Sequence, residues 1–436
     1  MTYRSFIVAL MSGALLFSLA ACDDSSTVGL GVGPDPLDGG QPQTVDALPD
    51  TFSVRVSDDG PPITSNISPS PAGGHRILTG TVTDPLVGTV TTRGHIDFRQ
   101  ASGVDSVSSI VSVELLLEPE YRYGSTSDQQ TIDVHDATDE IEDSLRANST
   151  ALGVGPLVTS GSFVSEDTLV TISMPDSWIS SNRSDLLNSS DGADDGYDAR
   201  FQGLVLAPSS GNHVMGFNRS ASRLRMITDN QNGERDTLNF FGSKSFTHIE
   251  RSGSSSAPAT SELLVSGFGE QLLTDIDFDG PPFDSLGRVP VSRAEFVIPV
   301  DSAALTQSKP ANFTRPGFTG SGGFSLLLRG QLTEDRTGPE NMFNGQNRLC
   351  IGLEVQTIDN SCALPIESTE NGFVAVPSVF QRVVEFNLTE DEPPFSEYTL
   401  EFSGLSPSIT PVLLRRPNPS SPASGARIQL TVVPQR

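Results

Sequence analysis

The chain of 436 residues carries 27 Lys and Arg against 54 Asp and Glu, a formal net charge of −27, and 36% of it is hydrophobic. That length allows two sizeable cores. The charge sets nucleic acid aside as a partner, because phosphate backbones are held by clustered cations and would meet net repulsion here. Lys244 and Lys309 are the only lysines, so nearly all positive charge is arginine. Such a balance suits a chain adapted to high salt, and equally an exported protein kept soluble by its surface.

Arg4 opens the chain with a positive charge, and Phe6 to Ala20 is an apolar stretch too short for a comfortable membrane span. Small residues then lead into a cysteine in Leu19-Ala20-Ala21-Cys22. The pattern resembles a bacterial lipoprotein signal. It implies that residues 1–21 are cut away and that Cys22 is acylated, so that several chains hold the protein at a membrane where one would bind only marginally. Residues 22–49 open with Asp23-Asp24-Ser25-Ser26 and continue rich in Gly and Pro, with too little apolar content to fold alone. They read as a flexible tether that holds the folded part on the order of 30 Å from the bilayer.

From Thr51 onward, short β-branched and Phe-containing segments alternate with Gly, Pro, Asn and Asp, with almost no sustained helical period. This predicts an all-β chain of two tandem β-sandwich, jelly-roll-like domains, residues 50–235 and 236–436. Predicted strands are Thr51–Val56, Ile77–Val82, Gly88–Phe98, Ile110–Leu117, Thr131–His135, Thr168–Met174, Phe201–Leu206 and Arg223–Thr228, with one short helix over Asp139–Ala147. The turn-rich Asp229-Asn230-Gln231-Asn232-Gly233 marks the division, and Ser252 to Ala259 reads as a loop inside the second domain. Two local matches suggest duplication: Ile110–Leu117 aligns with Val291–Ile298, and Leu204–Pro208 followed by Ser222–Met226 aligns with Val412–Pro417 followed by Ala426–Leu430.

The acidic start after Cys22, Val28-Gly29-Leu30-Gly31, Asp50-Thr51-Phe52, Leu78-Thr79-Gly80 with Asp84-Pro85-Leu86-Val87-Gly88, and Ser292 through Asp301 together resemble an uncharacterised lipoprotein family of Bacteroidetes-like bacteria. The resemblance implies an envelope location, at the outer membrane on its surface or periplasmic face, and a β-rich fold. It supplies no activity and no catalytic residue.

The chemistry-bearing motifs are few. No serine has the flanking glycines of a hydrolase elbow, and neither a phosphate-cradling loop nor a His-Glu-x-x-His helix is present. His75, His95, His135, His213 and His248 are scattered singly and read as surface or packing residues. The expectation is a protein without enzymatic activity or cofactor, calcium being the one ion with candidate ligands. Asp275, Asp277 and Asp279 alternate before Gly280 like the opening of a calcium loop, although Leu286 stands where the closing glutamate would be. The competing reading is a strand with Ile276 and Phe278 inward and the aspartates wet. Asp191, Asp194, Asp195 and Asp198 form a second acidic cluster, read as a solvated loop or a calcium site. Tyr121 and Tyr123, two apart, share one side of a strand with Arg122 opposite, and with Trp178 they offer either a sugar-binding face or core packing. Cys350 and Cys362 flank a strand, turn and return that could join them, contributing roughly 2–3 kcal/mol if paired. The expected partner beyond the membrane is thus a protein or a glycan.

Overall fold

The computed structural model describes residues 42–56, 76–141, 151–187, 197–286, 290–317, 325–331, 361–364, 366–369, 371–375, 380–381, 384–385, 388, 397–403 and 408–433. The leader with Cys22, residues 23–41 of the expected tether, His75, Asp191, Asp194, Asp195 and Cys350 lie outside them, as do residues 142–147 of the expected helix. Asp139–Ile141, its opening residues, are not helical.

The class is all-β, built from antiparallel sheets. In chain order the strands of the N-terminal part are β1 (Gln43–Ala47), β2 (Thr51–Val56), β3 (Arg76–Asp84), β4 (Gly88–Phe98), β5 (Val107–Leu117), β6 (Pro119–Ser125), β7 (Gln129–Ala137), β8 (Val154–Val164), β9 (Val170–Ser173), β10 (Leu204–Ser210), β11 (His213–Asn218), β12 (Arg223–Asn230) and β13 (Arg235–Ser252). There follow β14 (Ser261–Val265), β15 (Glu270–Asp275), β16 (Val291–Pro299), β17 (Phe313–Thr314), β18 (Ser325–Gln331), β19 (Ser361–Leu364), β20 (Ile366–Thr369), β21 (Gly372–Ala375), β22 (Glu397–Ser403), β23 (Pro411–Arg415) and β24 (Arg427–Val432). Short helices include α1 (Asp176–Ser181), α2 (Arg183–Leu186), α3 (Tyr197–Arg200), α4 (Phe283–Leu286) and α5 (Ser302–Gln307).

A twelve-stranded sheet runs β17-β6-β11-β3-β4-β13-β12-β5-β9, with β10 joining β4 to β7 and β8 beyond β7. Met215 and Phe217 of β11 share one core with Leu115 and Leu117 of β5, although these strands stand far apart along the sheet. The sheet therefore curls back around its own apolar side chains, each worth roughly 1.5–3 kcal/mol when fully buried. Curling demands close backbone approach where β3 leaves β4. A Cβ on Gly94 would lie 2.3 Å from Ile77 Cγ2 and 3.0 Å from the Leu78 carbonyl oxygen, so only glycine fits there.

In the C-terminal part, sheets of order β1-β24-β16-β21-β20 and β19-β18-β22-β15-β2 share a second core that includes Phe296, Phe373, Ile428 and Leu430 from one and Leu272, Tyr398 and Leu400 from the other. Two expectations are corrected here. Gln43–Ala47, assigned to the tether, is a strand paired with β24 along its whole length, because Val45 and Ala47 alternate onto the apolar side of that sheet. Thr51–Val56, assigned to the first domain, pairs with β15 in the C-terminal part.

The division at 235/236 also moves. Asp229–Gly233 is the tip of a hairpin, with Asn230 Oδ1 accepting from the amides of Asn232 and Glu234, and β13 continues beyond it to pair with both β12 and β4. Ser252 to Ala259 thus links the two parts instead of looping within the second.

The repeat noticed in the sequence reappears in strand register. Leu224 and Met226 of β12 face Leu115 and Val113 of β5, and the residues aligned with them, Ile428 and Leu430 of β24, face Phe296 and Ala294 of β16. In the first half β13 then pairs with β12 and with β4. In the second half the place beside β24 is filled by β1, and β2 pairs with β15.

The halves meet across a third apolar cluster that contains Leu78, Val82, Val90, Tyr121 and Val214 from one and Leu263, Val265, Phe313, Ile409 and Leu413 from the other. β17 extends the large sheet by pairing with β6.

Candidate functional site

Tyr121 and Tyr123 share one side of β6 as expected, but that side is interior, and the sugar-binding face is corrected. Tyr121 is 8% exposed, its hydroxyl donates to the Ile409 carbonyl at 2.8 Å, and the Arg76 guanidinium lies 4.7 Å over its ring. Burial pushes the phenol of each tyrosine up, away from ionisation, with Asp84 adding to the effect on Tyr123. Arg122, on the other side, donates to the Asp167 carbonyl. Trp178, on α1, is 6% exposed, packs edge-on against Phe201 and donates Nε1–H to Asp136 Oδ1 at 2.7 Å. All three aromatic faces are taken up by packing, which leaves none for a sugar ring.

The three candidate calcium ligands are not gathered. Asp275 ends β15 and accepts from the Thr51 hydroxyl at 2.9 Å, while Asp277 accepts the Asp279 amide at 3.0 Å in a local turn. Ile276 and Phe278 point into the core, and Leu286 at the twelfth position joins them there. Among the described residues no group of three His, Cys, Asp or Glu side chains is placed to hold a metal. Asp198 falls on α3, and Cys362 falls on β19.

The sequence reading missed two polar arrangements. The first is buried between the halves. Asp84, fully buried at the end of β3, receives Arg315 Nε and Nη2 at 2.6 Å each, the Tyr123 hydroxyl at 2.8 Å and the Leu86 amide at 2.7 Å. Arg315 donates further to the Leu305 carbonyl at 2.5 Å and to Ser308 Oγ at 2.8 Å. Every strong donor and acceptor is matched, as a buried ion pair requires.

Elsewhere in the large sheet, His95 of β4 is 1% exposed, and neither ring nitrogen has a hydrogen-bond partner. Burial brings its pKa down to about 4, with Arg93 and His248 adding to the fall and Asp139 opposing it.

The second arrangement is open. A cleft of about 430 Å³ at the end of β23 is lined by Thr260, Asp301, Arg415, Arg416, Asn418 and Ser424, among others. Arg415 reaches Asp301 at 3.5 Å and Arg416 reaches Glu262 at 2.5 Å, while their side chains remain 40% and 49% exposed. Asp301 also caps α5 by accepting the Ala304 amide at 3.1 Å, which fixes it in place. The signal available in the sequence was Arg415-Arg416, the only place where two Lys or Arg residues are adjacent in an acidic chain. Among the described residues no helix is long and apolar enough to cross a membrane.

Comparison with known proteins returned no matching family model, no curated relative and no similar solved structure.

Proposed function

We propose that the protein is an exported, lipid-anchored lipoprotein of the bacterial envelope, held at the outer membrane through Cys22 and acting without enzymatic activity, by binding a partner or by structural presence. One observation carries this reading: Leu19-Ala20-Ala21-Cys22 closes an apolar leader a tether's length ahead of β1. The resemblance to an uncharacterised envelope family fits it. Export also brings Cys350 and Cys362 to a compartment where disulfides persist, and their pairing is part of the proposal.

The test is protease digestion of intact against lysed cells, with Cys22→Ser as the unanchored variant. Release of Cys22→Ser to the soluble fraction is the expected result, and its retention in the membrane would overturn the anchor. Digestion on intact cells would assign the surface, and protection until lysis the periplasmic face.

A further inference from the structure

We infer that the cleft walled by Arg415 and Arg416 binds a sugar acid, a carboxylate carried on a ring of hydroxyls. The two guanidiniums present planar forks of donors, the geometry that matches a carboxylate. Each is held by a carboxylate, Arg415 by Asp301, itself part of the lining, and Arg416 by Glu262, so their heads are positioned while still half exposed. Arg415 Nε is covered and has no hydrogen-bond partner. With Asp301 and Glu262 both counted, the two guanidiniums are balanced by two carboxylates, so a ligand carboxylate is held by the N–H donors the forks keep free and not by an excess of positive charge.

The remaining lining groups match hydroxyls. Thr260 offers a hydroxyl, while Ser424 Oγ donates to the Ser421 carbonyl at 2.8 Å and accepts from Asn418 Nδ2 at 3.1 Å. Asn418 Oδ1 accepts the Ser420 amide at 3.1 Å, which holds the loop in shape and leaves the second Asn418 N–H and the acceptor capacity of these oxygens for a ligand. A cleft of about 430 Å³ is within the range of small-ligand sites. Its apolar lining, Ala259 and Pro417, is too slight to hold the side chain of a peptide partner.

The cleft also lies far along β16 from the point where the chain enters the fold. Gln43 of β1 and Val291 of β16 both stand opposite Val432, and β16 runs from there toward Asp301, about 30 Å at some 3.3 Å per residue. If Cys22 is the anchor, the cleft lies about 30 Å along the strands from the tether's entry. This placement rests on the anchored reading, and the ligand assignment does not.

The experiment is calorimetric titration of the purified full-length protein with methyl galacturonoside, with methyl galactoside, acetate and inorganic phosphate as the other arms. Saturable binding of the uronoside is expected, about 10-fold or more tighter than each of the others. Arg415→Gln and Arg416→Gln should each weaken it about 10-fold or more. Arg416→Gln, altering a half-exposed side chain, should melt at the wild-type temperature, which separates lost binding from lost folding. No saturable binding, or binding unchanged in a folded Arg416→Gln, would overturn the assignment. Equal binding of acetate or phosphate would make the cleft a general anion site and overturn the sugar. Titration needs no membrane, so it can fail while the lipoprotein reading stands, and the reverse.

Discussion

His95 shows how much a single residue's chemistry depends on its neighbours. In the sequence it is one histidine among five, and in the fold it is an imidazole sealed in β4 with both nitrogens unpartnered. Its folded pKa of about 4 lies below the ordinary 6.5, so between those values the unfolded chain holds a proton that the folded protein refuses. The stability it contributes is complete above about pH 6.5 and is lost as pH falls toward 4, on the order of 3 kcal/mol in all. His95→Leu should remove that part of the acid sensitivity and leave the carboxylate part. Urea unfolding of both proteins at pH 7 and pH 4.5 checks it, and equal losses in the two would refute the account. The tyrosines teach the complementary lesson: period two correctly put Tyr121 and Tyr123 on one side of β6, but which side is interior depends on residues near Ile409, far along the chain.

At the scale of elements, strands with dense alternation were legible, and β4 matches its predicted span residue for residue. β1 was not, because Gln43-Thr44-Val45-Asp46-Ala47 offers only two apolar residues and becomes a strand through pairing with β24. The matched registers of β5 with β12 and β16 with β24 give that pairing its meaning: β1 flanks β24 as β13 flanks β12, and β2 adds an edge to β15. Removing residues 43–56 should therefore expose the edges of β24 and β15. Hydrogen exchange should quicken in β15, β16 and β24 while β5 and β12 keep their protection. Uniform loss of protection in both halves would contradict this placement.

For the whole molecule, the junction decides the behaviour. A shared apolar cluster and the buried Asp84–Arg315 pair tie the halves together, so thermal unfolding should be one calorimetric transition. Arg315→Met leaves Asp84 charged and unpaired in the interior and should cost about 3–5 kcal/mol. Asp84→Asn with Arg315→Met should recover much of that loss, because the stranded charge is then gone. Two separate transitions in the wild type, or a double variant no more stable than Arg315→Met, would show that the pair does not work as a lock.

The sequence by itself determined the all-β class, the positions of strands with dense alternation such as β4, and the acidic charge, because each follows from local alternation, turn chemistry or composition. The tertiary structure alone decided which aromatic side chains are covered, where the halves divide, and which distant charges meet. Asp84 and Arg315 lie 231 positions apart, and no local pattern encodes such a meeting. The cleft arises in the same way: Thr260, Asp301, Arg415 and Ser424 come together only because β14 and β23 pair and β16 runs to Asp301 beside them.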